Sequence, residues 1–582
     1  MDYRHITIKD IEPIIPFSRG STEIFFTGQW SGKKPVWVEK TSACREGCPI
    51  GNDIPRAFSL ASKGLIDEAL AVFRQDNPFP GICGRICYHP CQTACNRAEL
   101  DEAVNVRGFE RFLADHGRVS GTEKNSVRRR KERVAVIGSG PAGLSASYHL
   151  ARLGYHVTVF EALPRPGGML MYGIPEYRLP KAVLTREIAS IKKWGVKIKT
   201  GIRVVAEGQP GLSLSDVRRD HQAVFIAVGA PRGMRLGVEG EDLPGVVEGM
   251  AFLRDIAPAQ KGKARSVVVV GGGNTAIDCA RTAGRMGARE VRIVCPEMAA
   301  VAEEVMAATR EGIKIDRPAV PRRFIAENGR VFAVECMRAE LGPLTARGWH
   351  EPLPVAGSEF VVPADMVIVA VGQVPETAFL ARSGVTVDKG GMVEISSFGT
   401  TGAKDVFAGG DGAGAKMFAA DAIASGKMAA LAIFCFFEGK DVGAEFALHR
   451  IGNRSSFSFQ HVIDPEGYGA DLKQIVTYDK LNTVCVPYAP MNDNPERLSS
   501  ADRAGTFREV VAGLGPQPMH AEIERCMKCG TCTQCDLCFL LCPDISVVKE
   551  KDGYRLRPDY CKGCGVCATT CPRNVVDIGG EK

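Results

Sequence analysis

The 582-residue sequence has no apolar run approaching the roughly 20 residues of a membrane span. Its longest candidate, Ala429 to Phe437, follows Lys427 and stops at Glu438. The N-terminus, Met1-Asp2-Tyr3-Arg4-His5, carries charge with no apolar segment behind it, which speaks against a secretory signal. Net charge is small: 73 Lys and Arg against 67 Asp and Glu leave +6, too mild over this length to imply nucleic acid or an anionic membrane. With 45% apolar and 24% charged residues, a wholly disordered chain is excluded. The expectation is a soluble, cytoplasmic protein of about four domains.

The 21 cysteines are absent from most of the chain. Six lie between Cys44 and Cys95, ten between Cys526 and Cys571, and none between Cys95 and Cys279. In a reducing compartment, thiols gathered at two ends of a long chain suggest metal before disulfide. The isolated Cys279, Cys295, Cys336, Cys435 and Cys485 read as small buried hydrophobes.

From Val134 to about Gly439 the chain alternates Val/Ile-rich strands, helical segments and glycine turns, the pattern of α/β domains with parallel sheets. The polar, basic stretch Ser120 to Arg133 before it reads as a solvated linker. Residues 440–520, without clear periodicity, read as an extended connector packed on other domains.

Two glycine turns sit where dinucleotide binding requires them. Strand Val134–Ile137 runs into Gly138-Ser-Gly140-Pro141-Ala142-Gly143, a helical segment follows, and a second strand ends at Glu161. Gly138 permits the tight turn, Gly140 lets the backbone approach a pyrophosphate, and Gly143 lets helix and strand pack closely. The helix start then faces the pyrophosphate, and Glu161 stands where a carboxylate accepts from a ribose hydroxyl. The pattern recurs as Ser266–Val270, Gly271-Gly272-Gly273-Asn274-Thr275-Ala276, and a strand ending at Cys295-Pro296-Glu297. Two such units in one chain suggest a flavin and a nicotinamide that exchange hydride. At the second unit, a carboxylate at Glu297 favours a free 2′-hydroxyl over a 2′-phosphate, although Arg289 and Arg292 are close in sequence. NAD is therefore expected over NADP. The segment Thr401 to Gly410-Asp411 resembles the late motif of two-dinucleotide flavoproteins, in which the Asp contacts the ribityl or pyrophosphate part of FAD. That resemblance implies an FAD domain split around an inserted nicotinamide domain, with Asp365 to Gly372 as the return strand. A disulfide reductase of this architecture needs a cysteine pair near the flavin, and the gap from Cys95 to Cys279 excludes that subclass.

The C-terminal spacing is Cys532-x2-Cys535-x2-Cys538-x3-Cys542-Pro543, then Cys561-x2-Cys564-x2-Cys567-x3-Cys571-Pro572. In the two-cluster bacterial ferredoxin run each fourth Cys serves the other cluster. One [4Fe–4S] cluster is then expected on Cys532, Cys535, Cys538 and Cys571, and the other on Cys561, Cys564, Cys567 and Cys542. Tetrahedral zinc is the competing occupant of Cys-x2-Cys pairs. Cys526 and Cys529 extend the series upstream, as spare thiols or an alternative register. The N-terminal set is Cys44-x3-Cys48-Pro49 and Cys83-x3-Cys87-x3-Cys91-x3-Cys95, with zinc or inert thiols as alternatives to clusters.

Cys48-Pro-Ile-Gly-Asn-Asp-Ile-Pro55, Asn77 to Cys87, the two glycine units, and Tyr172-Gly-Ile-Pro-Glu-Tyr-Arg-Leu-Pro-Lys181 after Gly167-Gly168 resemble the glutamate synthase small-subunit family over roughly residues 40–440. The family's relatives include flavin subunits of electron-bifurcating ferredoxin oxidoreductases and the N-terminal half of dihydropyrimidine dehydrogenase. The resemblance implies N-terminal [4Fe–4S] clusters, one with a non-cysteine ligand. Cys48, Cys87 and Cys91 fall on one, with Glu110 near the non-cysteine position, and Cys44 and Cys95 fall on the other. The family has more cysteines just before the Cys-Pro, where this chain has Cys44 alone, and Cys83 is additional; one or two N-terminal clusters are therefore expected. Where NADPH-using members carry two arginines, this chain has Pro296 and Glu297.

The expected fold is α/β: two Rossmann-like dinucleotide-binding domains, flanked by an N-terminal helical iron–sulfur domain and a C-terminal bacterial ferredoxin-like α+β domain. The expected boundaries are 1–125 for the helical domain, 126–255 and 365–440 for FAD, 256–364 for NAD(P), 441–520 for the connector and 521–582 for the ferredoxin-like domain. FAD contacts are expected from Gly138, Gly140, Pro141, Ala142, Gly143, Glu161, Gly168, Gly410 and Asp411. NAD contacts are expected from Gly271, Gly272, Gly273, Asn274, Thr275, Glu297 and Gly372. Hydride transfer needs stacking geometry and placed dipoles, so no catalytic side chain is assigned. The expected function is a diaphorase subunit passing electrons between NAD(H), FAD and clusters to or from a ferredoxin or an aldehyde or 2-oxoacid oxidoreductase. A glutamate synthase small subunit and a non-catalytic electron-wiring scaffold are the alternatives.

Overall fold

The computed structural model describes residues 26–118, 129–255, 264–345, 350–381, 383–414, 416–466, 469–484, 486–492, 498–551 and 553–580. The N-terminal pentapeptide, residues 120–128 of the basic linker, and Cys485 lie outside the described residues. The chain forms two units: Ala43–Tyr468 with Tyr488–Cys526, and Met1–Ser42 with Gly469–Pro487 and Met527–Lys582.

The larger unit contains two five-stranded, all-parallel sheets. In the first the order is Val406–Ala408, Ala223–Ile226, Arg133–Ile137, His156–Glu161, Lys197–Thr200. In the second it is Val246–Glu248, Met366–Val369, Ser266–Val270, Glu290–Val294, Lys314–Asp316. Their strands are continuous valine and isoleucine runs because both faces are covered. Val267, Val269 and Ile293 pack with the helix Asn274–Arg285, while Val268, Val270 and Val294 pack against the antiparallel sheet Ala319–Glu327, Arg330–Leu344, His350–Pro354, Phe360–Pro363.

The observed elements correct three expectations. Met366–Val369, expected to return to the flavin domain, lies inside the second sheet between Val246–Glu248 and Ser266–Val270. The second sheet thus takes in residues on both sides of the expected 256–364 insert. A buried apolar run announces a strand but not which sheet it joins. Residues 440–520, expected as an extended connector, form the helices Val442–His449, Phe459–Ile463 and Pro516–Arg525 among others. Ala419–Glu438 is one 20-residue helix whose mean hydropathy reaches 1.5 over an 18-residue window, long and apolar enough by length and composition to cross a membrane, so its apolar stretch is longer than Ala429 to Phe437. Leu431, Ile433 and the helix's small residues are buried in the core it shares with Pro141–Arg152.

Short helices, including Ile54–Ala61, Ile66–Asp76, Pro80–Ile86 and Val106–His116, build the cysteine-bearing N-terminal part of this unit around Phe58, Phe73, Phe79 and Phe109. The helix Pro516–Arg525, partly inside the expected ferredoxin-like segment, packs into the same core through Met519 and Ile523.

In the smaller unit, Lys33–Trp37 pairs antiparallel with Val576–Gly580, Val547–Glu550 with Gly553–Leu556, and Glu39–Ser42 runs parallel to Ala470–Val476. Residues 33–42, expected in the N-terminal helical domain, therefore complete the C-terminal cysteine-rich unit. Long-range strand pairing of this kind leaves no local signal in sequence.

Candidate dinucleotide and iron–sulfur sites

The first glycine turn lies at the C-terminal edge of the first sheet. Gly138 has φ +103°, and a Cβ on Gly143 would stand 2.1 Å from the Gly138 carbonyl oxygen, so helix and strand meet at a distance only glycine allows. Gly140 is the N-cap of Pro141–Arg152 and contributes no side-chain cap. A Cβ there would meet nothing within 4 Å. Open space before uncapped first-turn amides is the cradle a pyrophosphate requires. Gly168 closes on this turn, since a Cβ there would stand 2.8 Å from the Gly140 Cα, and Gly410 faces Ala142 in the same way at 2.9 Å. Glu161 accepts from the Ser139 amide at 3.0 Å, from the Ser139 hydroxyl and from the Leu163 amide at 2.8 Å, so its carboxylate is fixed at the strand end beside the turn. Asp411 Oδ1 is buried and has no hydrogen-bond partner among the described residues. Burial and the neighbouring Asp421 push its carboxyl up to about 6. A buried acceptor left unpaired fits a ligand that brings a donor. Gly138–Gly143, Glu161, Gly168 and Gly410 are thus brought together, with Asp411 next in the chain, and the residues present fit FAD.

The second turn repeats the first. Gly273 caps Asn274–Arg285 without a side-chain bond, and a Cβ there would again meet nothing within 4 Å. Gly271 and Gly272 press against the Ala370 and Glu297 carbonyl oxygens, and Asn274 Oδ1 accepts from the Val301 amide at 3.0 Å. Gly372 follows the Met366–Val369 strand that flanks the turn, and Thr275 is on the first turn of the helix. The Glu297 carboxylate accepts from the His350 backbone amide at 3.2 Å and lies 2.8 Å from His350 Nδ1. These contacts hold its carboxyl below the usual range. His350 arrives from the antiparallel sheet, and its sequence surroundings do not mark it. These residues fit a nicotinamide dinucleotide.

In the N-terminal part, Cys48, Cys83, Cys87 and Cys91 share one neighbourhood: burial pushes every one of these thiols up, and Glu110 adds to the rise of each. The Glu110 carboxyl, buried, is itself pushed up to about 8 and accepts from Asn77 Nδ2 at 2.7 Å and Asn52 Nδ2 at 3.4 Å. Cys83, whose place the spacing left open, belongs to this group. Amides of Ile50, Gly51 and Asn52 donate toward Cys48, and amides of Arg97, Ala98 and Val104 toward Cys95. Amides aimed at sulfur stabilise thiolate, the form that binds metal.

In the smaller unit two hollows match the expected ligand sets. One is lined by Cys542, Cys561, Cys564 and Cys567. The other is lined by Cys532, Cys535, Cys538 and Cys571, with Trp37 and Tyr554 beside them. The Ser546 amide donates to Cys542 Sγ at 3.3 Å and the Val575 amide to Cys571 Sγ at 3.5 Å. Among the described residues no three Cys, His, Asp or Glu groups converge at single-ion distance. Four thiols around a hollow fit an iron–sulfur cube, which spreads its ligands more widely.

Residues 132–426 match the model of the pyridine nucleotide-disulphide oxidoreductase family. Residues 39–122 match that of dihydropyrimidine dehydrogenase domain II, 4Fe-4S cluster, and 554–577 that of a 4Fe-4S binding domain. The chain is 37% identical over 525 residues to the NADP(+)-dependent formate dehydrogenase subunit beta of Moorella thermoacetica, covering 84% of this chain and 70% of that one. It is 34% identical over 538 residues to the NADPH-Fe(3+) oxidoreductase subunit beta of Geobacter sulfurreducens, covering 85% and 77%. Against the glutamate synthase [NADPH] small chain of Escherichia coli it is 34% identical, covering 74% and 94%.

Proposed function

Because the chain belongs to the pyridine nucleotide-disulphide oxidoreductase family, and to the branch that includes the glutamate synthase small chain, we propose that it is the nicotinamide-handling subunit of a larger redox complex. It is an FAD- and iron–sulfur-dependent oxidoreductase. Its proposed task is to pass electrons between NAD(H) and a partner oxidoreductase acting on an aldehyde, a 2-oxoacid or a related small carbonyl substrate, or a ferredoxin. The observation that carries the reading is the pair of open glycine turns at Gly140 and Gly273 in one unit with a cluster-fitting set of buried thiols. FAD, when bound, takes or gives electron pairs as hydride and single electrons to clusters.

The chain's own residues have separable parts in this. The amides after Gly140 and Gly273 orient the two pyrophosphates. Glu161 and Glu297 stand where ribose hydroxyls donate. With no cysteine between Cys95 and Cys279, the chain offers no redox-active pair beside the flavin turn, and the cluster segments take that role.

The names of the relatives specify NADP(H), whereas we assign NAD(H) here on Pro296-Glu297. A carboxylate kept ionised by His350 repels a 2′-phosphate. Anaerobic titration with NADH and NADPH, following the flavin absorbance near 450 nm, tests both the activity and the preference. NADH should bleach the flavin. Glu297→Arg should move the NADH/NADPH ratio of kcat/KM toward NADPH by about tenfold or more, the scale of one charge-assisted hydrogen bond. An unchanged ratio discards Glu297 as the discriminator, and no bleaching by either nucleotide discards the oxidoreductase assignment in favour of a wiring scaffold.

A further inference from the structure

Two N-terminal cysteines stand apart from the group around Glu110. Cys44 lies on the turn Ala43–Gly47 and Cys95 just ahead of Asn96–Glu99. A cluster needs more sulfur than these two supply, and the sequence just before Cys44 holds no other cysteine. A third cysteine on that core lies near the far end of the chain. The helix Pro516–Arg525 ends at its C-cap, Cys526, and Cys526 packs against the same core as Cys44 and Cys95.

The placement of Cys526 is built, not incidental. Arg525, 4% exposed, is clamped by the segment that follows Cys95: its guanidinium donates to the Ala103 oxygen at 3.1 Å, the Glu102 oxygen at 2.7 Å and Asp101 Oδ1 at 3.1 Å. Arg97 returns a bond to the Arg525 carbonyl, and Glu522 accepts from the Asn105 amide at 2.7 Å. The Arg525 charge lies near the Cys95 sulfur, and the backbone amides of Val104, Arg97 and Ala98 donate toward that same atom. A buried network of this size is costly to build, and here every bond in it serves to fix the residue before Cys526 against the residues after Cys95.

We propose that Cys526 is a ligand of a second N-terminal iron–sulfur cluster, shared with Cys44 and Cys95, so that one cluster is assembled from both ends of the chain. This rests on the iron–sulfur reading of the N-terminal segment. Cys526 is then neither a spare thiol nor part of a shifted register of the ferredoxin run.

The test uses the full-length protein, anaerobically prepared, with iron, acid-labile sulfide and FAD counted together and the reduced clusters resolved by EPR. Four [4Fe–4S] clusters give about 16 iron per FAD. Cys526→Ala and Cys44→Ala should each lose about a quarter of the iron, and both should lose the same EPR component while FAD occupancy stays at the wild-type level. Cys48→Ala should remove a different component, and Cys435→Ala none. Full iron and an unaltered spectrum in Cys526→Ala, with Cys48→Ala still losing its component, overturns the proposal and leaves the N-terminal iron–sulfur reading standing. Wild-type protein without any component sensitive to Cys44, Cys48 or Cys526 overturns both. Should Cys526→Ala fail to accumulate, Cys526→Ser carries the same comparison: the proposal falls if the component lost by Cys95→Ala is unaltered in Cys526→Ser.

Discussion

Lys427→Met tests the packing of the flavin-side core on the cysteine-bearing helices. Lys427 is 1% exposed in the middle of Ala419–Glu438, and its ammonium donates to Asp76 Oδ1 at 2.7 Å, the Ile50 carbonyl at 2.6 Å and the Phe457 carbonyl at 2.5 Å. Asp76, 2% exposed, also accepts from the Phe459 amide, and the Arg45 guanidinium stands 4.0 Å away. Methionine fills the space but leaves Asp76 a buried charge without its closest cation and orphans two carbonyls. Breaking a buried pair from one side costs about 3–5 kcal/mol, or roughly two to three and a half orders of magnitude in the folded-to-unfolded ratio. Urea unfolding, followed by far-UV circular dichroism, reads the difference as a shift in midpoint at constant slope. Lys427→Met/Asp76→Asn should recover at least half of the loss, because the remaining partner is then neutral. A single variant within about 1 kcal/mol of wild type, or a double variant no better than the single, refutes the claim that this pair acts as a unit.

Gly140→Ala and Gly143→Ala should separate ligand space from packing space. The first adds a methyl where the protein has nothing within 4 Å, so apoprotein stability should change by less than about 1 kcal/mol while FAD affinity falls tenfold or more; the second forces Cβ to 2.1 Å from a carbonyl oxygen and should destabilise the apoprotein itself. Flavin fluorescence quenching and urea midpoints on the two apoproteins distinguish these outcomes, and equal loss of both quantities in both variants contradicts the assignment. Acid should expose the Glu311 network. Burial opposes its charge, but Arg285 and Arg281 hydrogen bonds win and hold its carboxyl below the usual range. Its folded pKa is depressed, so the stabilisation is present above the unfolded value near 4.3 and is lost as pH falls through the folded one. Glu311→Gln should therefore lower stability at pH 7 and flatten its decline below about pH 4.5 in pH-dependent urea midpoints; an unaltered acid limb counts against it.

What was legible in the sequence is what is written locally. Gly138 to Gly143 and Gly271 to Gly273 announce themselves because a turn that touches a ligand tolerates few residue types. The eight C-terminal thiols line two hollows in the grouping that the spacing of the two repeats suggests. What stayed hidden depends on distant segments meeting. Cys83 joins the Glu110 group only because Pro80–Ile86 packs beside Val106–His116. His350 reaches Glu297 across an antiparallel sheet whose pairing has no local signature. Lys427 reads as the polar boundary of an apolar run, yet it is 1% exposed, and what makes its burial possible, Asp76, is 351 positions away in the chain.

That helix also explains how one unit keeps its flavin and cluster sites in register. Gly426 presses so closely on the Ala142 carbonyl that a Cβ would stand 2.0 Å from it, which fixes the helix against the turn at Gly140. One residue on, Lys427 holds the Ile50 carbonyl, two residues after Cys48. At the helix start, the Phe418 ring lies 4.4 Å from that of Tyr88, the neighbour of Cys87, and the Tyr88 hydroxyl bonds to Asp421. The flavin turn and two cysteine-bearing loops are thereby referenced to one rigid element instead of to each other through loops. Rigid elements hold reacting groups to tighter tolerance than loops do. A hinge between the first glycine turn and these loops would have to break the Lys427 network, whose bonds are buried, so these segments are expected to move as one body.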